Sequence, residues 1–242
     1  LTNKPKLQAE WWRFERSARA LYRSISTLEQ VIAWARVSST LQPVLVDARQ
    51  TFMEKVVVMA SDDPAQLAIM ASSHHLLWAI RYSPTQGSTI TYKPSDVFET
   101  FPRPGATPAL ADLGVKLTSA REDSMRRRSI GLTSLYNLVN SPELPASDDR
   151  DIVFLRELHV EIDVATQNAY GWPMLDFAHG CHEYRELVKW SPAPQVRMVL
   201  LDRLLEENHK RAAGSGSDRS TGRPSARRPI PSGSQDTLFG GV

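Results

Sequence analysis

The stretch that decides the fold runs Ser61-Asp62-Asp63-Pro64-Ala65-Gln66-Leu67-Ala68-Ile69-Met70-Ala71-Ser72-Ser73-His74-His75-Leu76-Leu77-Trp78-Ala79-Ile80-Arg81. An Asp side chain satisfies free backbone N–H groups in the first turn of a helix. Proline at the first helical position gives up an N–H that has no partner there in any case. Ser61-Asp62-Asp63-Pro64 therefore predicts a helix start, and the pattern carries the helix to about Arg81. Leu67, Met70, His74, Leu77 and Trp78 fall at i, i+3, i+7, i+10 and i+11, which draws one apolar stripe. Such a stripe needs a surface to pack on.

The flanking sequence supplies that surface. Upstream, Val31-Ile32-Ala33-Trp34-Ala35-Arg36-Val37, Val44-Leu45-Val46 and Lys55-Val56-Val57-Val58-Met59 are short β-rich runs bounded by Ser, Pro, Asp or Gln, and three strands are expected. Trp11-Trp12-Arg13-Phe14 leads into a short helix around Ala18–Tyr22, along one side of which Arg16, Arg19 and Arg23 recur. Downstream, Ser83-Pro84-Thr85-Gln86-Gly87-Ser88 reads as a polar turn, and Thr89-Ile90-Thr91-Tyr92 as a further strand.

Pro102-Arg103-Pro104-Gly105, followed by Pro108, forms a stiff connector and the expected domain boundary. Beyond it the pattern is helical. One helix begins with Leu113, Leu117 and Ala120 and ends in Arg126-Arg127-Arg128, and Gly131–Asn137 follows as a short helix or turn. Ile152, Leu155, Leu158, Ile162, Ala165 and Ala169 mark a long helix stopped by Gly171 and Pro173; Val196, Leu200, Leu204 and Leu205 mark the last. From Gly214 the Gly, Ser, Pro and Arg content buries too little apolar surface to offset ordering, so disorder is expected. The resulting reading is α+β: a small mixed sheet with a packed helix over 1–104, an all-α domain over 105–213 and a disordered tail over 214–242.

Bulk composition narrows the classes. Hydrophobic residues make up 41% and charged residues 23% of 242, which is ordinary for a globular protein. The net charge of +2 is too small to demonstrate a polyanion partner, because affinity for nucleic acid depends on where Lys and Arg cluster. Cys181 stands alone, so no internal disulfide framework exists and a reducing cytoplasm is expected. No apolar run reaches the ~20 residues that span a bilayer, so no membrane partner is expected. The first residue is Leu1, which fits a piece of a longer protein.

Motifs for self-contained catalysis are missing from the sequence: there is no glycine-rich strand-to-helix loop, no Walker lysine and no nucleophile elbow. His179, Cys181 and His182 cluster, but structural zinc wants ligands in two spaced pairs and no second pair is visible. His74 on the apolar stripe reads as a core histidine, and Glu157, Glu161 and Asp163 as a solvated helix face. Arg126-Arg127-Arg128 either neutralises phosphate or complements a helix dipole. Arg81, Ser83, Gln86, Ser88, Thr89, Thr91 and Lys93 crowd a loop and strand after the packed helix. These are the donors and acceptors that base edges and phosphates need, although a plain surface loop can hold them too.

Several ordered motifs carry a family resemblance. Trp11-Trp12-Arg13-Phe14, Ser72–Ala79, and Tyr92–Pro104 with its close Thr100-Phe101-Pro102-Arg103-Pro104 resemble the end of the target-recognition domain of MmeI-like adenine-specific DNA methyltransferases. Gly131–Asn137, Leu155–Asp163, Ala169-Tyr170-Gly171-Trp172 and Leu204–Arg211 are similar to that family's carboxyl-terminal helical domain. The resemblance implies a bacterial restriction-modification or phage-defence protein that moves a methyl group from S-adenosylmethionine to adenine, with double-stranded DNA as partner. Its Asn-Pro-Pro-Tyr-type motif and cofactor loop are missing here, so no cofactor is expected on this piece, and the catalytic domain is expected upstream in the parent chain. The same resemblance makes Arg81 and Lys93 candidates for guanine or phosphate, Gln86 for adenine, and Arg13, Arg16 and Arg36 for the DNA backbone. Finally, Gln235-Asp236-Thr237-Leu238-Phe239 resembles a peptide that docks on the replication sliding clamp. Gln235, Leu238 and Phe239 would then serve an alternative role, that of a protein-interaction module without DNA readout.

Overall fold

A computed structural model describes residues 18–86, 89–144, 149–184 and 187–217. Helix α1 (Arg19–Ile25) precedes strands β1 (Gln30–Ala35), β2 (Val37–Ser38), β3 (Val44–Asp47) and β4 (Val56–Met59). Helices α2 (Pro64–Ala71) and α3 (Ser73–Tyr82) follow, then strands β5 (Thr85–Gln86) and β6 (Thr89–Thr91). The remainder comprises α4 (Pro108–Arg128), α5 (Leu132–Val139), α6 (Arg150–Ala169), a hairpin of β7 (Gly180–Tyr184) and β8 (Leu187–Ser191), and α7 (Pro194–Ser217). The class is α+β. No described helix is long and apolar enough to cross a membrane.

The described strands form three small sheets, antiparallel throughout: β3-β1-β4, β2-β6-β5 and β7-β8. Val31, Ile32, Ala33 and Trp34 of β1 are buried in succession, because both faces of the first sheet are covered. One face meets α1 through Ile25, Val31 and Ala48; the other joins the main core with Leu67, Met70 and Trp78. Arg36 alone separates β1 from β2, so the chain leaves one sheet and enters the next within a residue.

The helix expected from Pro64 to Arg81 is two helices. Asp63 caps the first, its carboxylate accepting from the Ala65 N–H at 2.8 Å. Ser72 then takes an extended conformation (φ −70°, ψ 156°), and its hydroxyl donates to the Ile69 carbonyl at 2.7 Å while accepting from the His75 N–H. A serine that can cap the next helix competes with continuing the last one. All five stripe residues are buried nonetheless.

Four of the apolar positions that predict α6, Ile152, Leu155, Leu158 and Ile162, are buried, and Gly171 (φ +69°) turns the chain after it. The β7-β8 hairpin corrects the all-helical reading beyond residue 105: its Gly-Cys-His-Glu-Tyr and Leu-Val-Lys-Trp-Ser segments lack a clear alternation of apolar and polar residues. Helix α7 continues through Gly214 to Ser217. The main apolar cluster contains Phe101 and earlier residues together with Leu110, Leu135, Leu158 and Leu204, so one core extends to both sides of the Pro104 connector.

Candidate nucleic-acid interface

Of the stretch from Arg81 to Lys93, Arg81 and Tyr82 end α3, while Thr85–Gln86 and Thr89–Thr91 form two strands of the β2-β6-β5 sheet. Register pairs Val37 with Thr91 and Ser38 with Ile90, and the Tyr92 N–H continues the ladder by donating to the Arg36 carbonyl at 2.7 Å. Alternation then sorts the side chains. Ile90 and Tyr92 point into the core, whereas Thr89 and Thr91 are half-buried on the opposite side.

What holds this sheet in place is a buried hydrogen-bond relay. His75 Nδ1 is 2.8 Å from the Met70 carbonyl and Nε2 is 2.9 Å from the Tyr92 hydroxyl. A carbonyl can only accept, so Nδ1 carries the hydrogen, and the neutral ring accepts from Tyr92 through Nε2. Burial pushes the His75 pKa down to about 4, which keeps the ring neutral. Trp34 meets both rings edge-on, at 6.1 Å from His75 and 5.3 Å from Tyr92. The polar strip is thus backed by a rigid aromatic wall.

The candidate side chains are distributed around this wall. Arg81 is exposed in the last turn of α3, 5.7 Å over the Tyr82 ring. Lys93 is exposed and lies 3.9 Å from Asp96. Arg36 is half-buried beside Tyr92, with its Nε enclosed and without a hydrogen-bond partner. Ser83 ends α3, its N–H donating to the Ala79 carbonyl while its hydroxyl is buried and unpartnered. Gln86 is described by its backbone in β5. Ser88, Arg13, Arg16, Gln235, Leu238 and Phe239 lie outside the described residues.

Two cations that sequence reading did not single out brace the loop after β2. Arg121 of α4 donates to the Pro43 carbonyl at 2.7 Å and to the Gln42 side chain, and Lys189 of β8 donates to the Ser39 carbonyl. Both are buried. Burial pushes the Lys189 pKa down to about 8. No local signal marks either residue, because the partners lie 78 to 150 positions away.

Other charged features have structural roles. Asp163 is buried, not on a solvated face as expected, although Glu157 and Glu161 are exposed. Its carboxylate accepts from the Ser73 N–H at the start of α3 (2.7 Å) and meets His179 Nε2 at 2.8 Å, with His74 Nδ1 at 3.9 Å. Burial alone would raise its pKa, but the hydrogen bond with His179 and the adjacent His74 ring outweigh it and hold the group below the usual carboxylate range. Cys181 faces the Ser141 carbonyl and His182 the Ala178 carbonyl, so the His179, Cys181 and His182 side chains diverge. No metal-holding group of His, Cys, Asp and Glu occurs among the described residues. Arg127 pairs with Asp151 at 2.7 Å and Arg128 with Asp149 at 2.6 Å, which ties the end of α4 to the start of α6.

No family model matches the chain, and no curated protein matches it. Among solved structures, similarity exists to the type IIL restriction-modification enzyme MmeI, whose structure was determined in complex with DNA. The TM-score is 0.56 at 17% sequence identity, over 84% of this chain and 25% of that one. The fold is MmeI-like. The chain spans about a quarter of that enzyme's length, and at this identity the likeness concerns the fold alone.

Proposed function

We propose that this chain is the DNA-recognition portion, with its helical support, of a site-specific adenine methyltransferase of the restriction-modification or phage-defence type in the bacterial cytoplasm. S-adenosylmethionine and the methyl-transfer chemistry belong to another part of the parent protein, and double-stranded DNA is the partner of this part. The observation that carries the reading is the strip itself: Arg81 and Lys93 are exposed at its two ends, while Tyr92, His75 and Trp34 stiffen it from behind. A site built on a rigid sheet reads base edges more precisely than one on a loop, since misplacement of a donor forfeits the hydrogen bond. The MmeI-like fold supports the same reading, because that enzyme was determined with DNA.

The test is fluorescence anisotropy of a labelled duplex pool with the full-length protein across a salt series. Binding that weakens steeply with salt is expected. A folded protein with no affinity for duplex DNA at low salt would overturn the proposal.

A further inference from the structure

Arg103 occupies the middle of the Pro102-Arg103-Pro104 connector. Its guanidinium carbon lies 4.4 Å from the centroid of the Phe98 ring. Stacking of this kind uses the flat face of the cation, whereas the N–H donors lie in the guanidinium plane and point outward from its rim. No carboxylate among the described residues pairs with Arg103, and none of its side-chain nitrogens donates to a described protein acceptor. The side chain borders an open groove lined also by Ser61, Gln66, Glu99, Asn208 and Arg211.

The backbone beneath Arg103 is fixed. Proline on each side restricts the chain, and α7 grips the connector twice: Asn208 donates to the Thr100 carbonyl and Arg211 to the Arg103 carbonyl, each at 2.6 Å. The cation is therefore held in position with its donors unused. Half-burial without a counter-charge pushes its pKa down, a cost that an arriving anion would relieve. Charge also connects it to the candidate interface, since its field acts on both Tyr92 and His75.

Resting on the DNA-recognition reading, we infer that Arg103 is a backbone-phosphate clamp of the duplex, extending the interface past Lys93 along the connector into the groove beside α7. Arg suits this role because its planar donor fork matches two phosphate oxygens. Glu99 on the groove wall disfavours deep entry by an anion, so the phosphate sits at the rim where the guanidinium edge emerges.

The experiment compares the wild-type full-length protein with Arg103→Gln, in anisotropy titrations against the duplex pool over a salt series. The expected result is a salt slope shallower by about one unit, the counterion share of one phosphate, with affinity lowered alike for different sequences. A folded Arg103→Gln protein with the wild-type slope overturns the inference and leaves the recognition reading intact. A wild type that binds no duplex sinks both. Because substitution at Arg103 removes its stacking on Phe98, a second measurement uses the unmodified protein: dicarbonyl labelling of arginine read by mass spectrometry. Arg103 is expected to label freely without DNA and to be protected with it; equal labelling in both states refutes the clamp.

Discussion

The carbonyl oxygen of Pro64 lies 2.0 Å from where a Cβ on Gly114 would stand, so the first turn of α2 and the body of α4 touch backbone to backbone. Gly114→Ala should gain up to about 1 kcal/mol from helix propensity alone. The clash reverses the sign, and a loss of about 1–3 kcal/mol is expected from overpacking. Urea denaturation of the two proteins checks this; an unchanged or raised midpoint contradicts the contact.

Two histidines, the buried His75 and the half-buried His159, predict acid sensitivity. Burial lowers the folded pKa of His75 to about 4 and, with the positive field of Arg121, that of His159 to about 3. Both rings bind protons more readily when unfolded, with a pKa near 6.5. The stability they contribute is complete above about pH 6.5 and drains away as pH falls toward about 4 and then 3. Urea midpoints measured at neutral pH and at about pH 5 should differ accordingly, and His75→Gln should reduce the difference.

Asp163 adds a lower window of the same sign. Its pKa is depressed in the fold, so its stabilisation is present above the ordinary carboxylate value of ~3.9 and is lost on further acidification. Asp163→Asn leaves His179 and the Ser73 N–H without the charged acceptor they share. Breaking a buried pair from one side costs about 3–5 kcal/mol. Thermal unfolding at neutral pH would show this as a large drop in Tm.

Lys189 gives the opposite end of the pH scale. Burial lowers its pKa from 10.5 to about 8, so its charged form is disfavoured in the fold. The group's contribution to stability is present above about pH 10.5 and is lost as pH falls through about 8. Stability should therefore rise between about pH 8 and about pH 10.5 through this residue, and Lys189→Met should flatten that rise in urea titrations.

For the interface, Arg81→Ala and Lys93→Ala should each weaken duplex binding in the anisotropy assay. A side chain that reads a base costs about 1–3 kcal/mol on removal and relaxes preference at one position; one that holds a phosphate reduces the salt slope by about one unit across all sequences. Binding by the double variant at wild-type strength would remove both residues from the interface.

Sequence alone determined the local pieces. The Asp63-Pro64 start, the stripe from Leu67 to Trp78, the strand runs of β1, β3 and β4, and the helix at Ile152–Ala169 follow from capping chemistry and periodicity, which act over a few residues. The candidate strip was legible because its polar residues are contiguous. Tertiary structure alone decided the burial of Asp163 against α3. It also decided the bracing of Ser39 and Pro43 by Lys189 and Arg121, and the unpaired Arg103 edge beside α7. In each of these a residue's role is set by a partner remote in the chain or by the solvent it loses on packing. Neither quantity is encoded in the spacing of neighbours, because desolvation and long-range hydrogen bonds exist only once the chain has closed on itself.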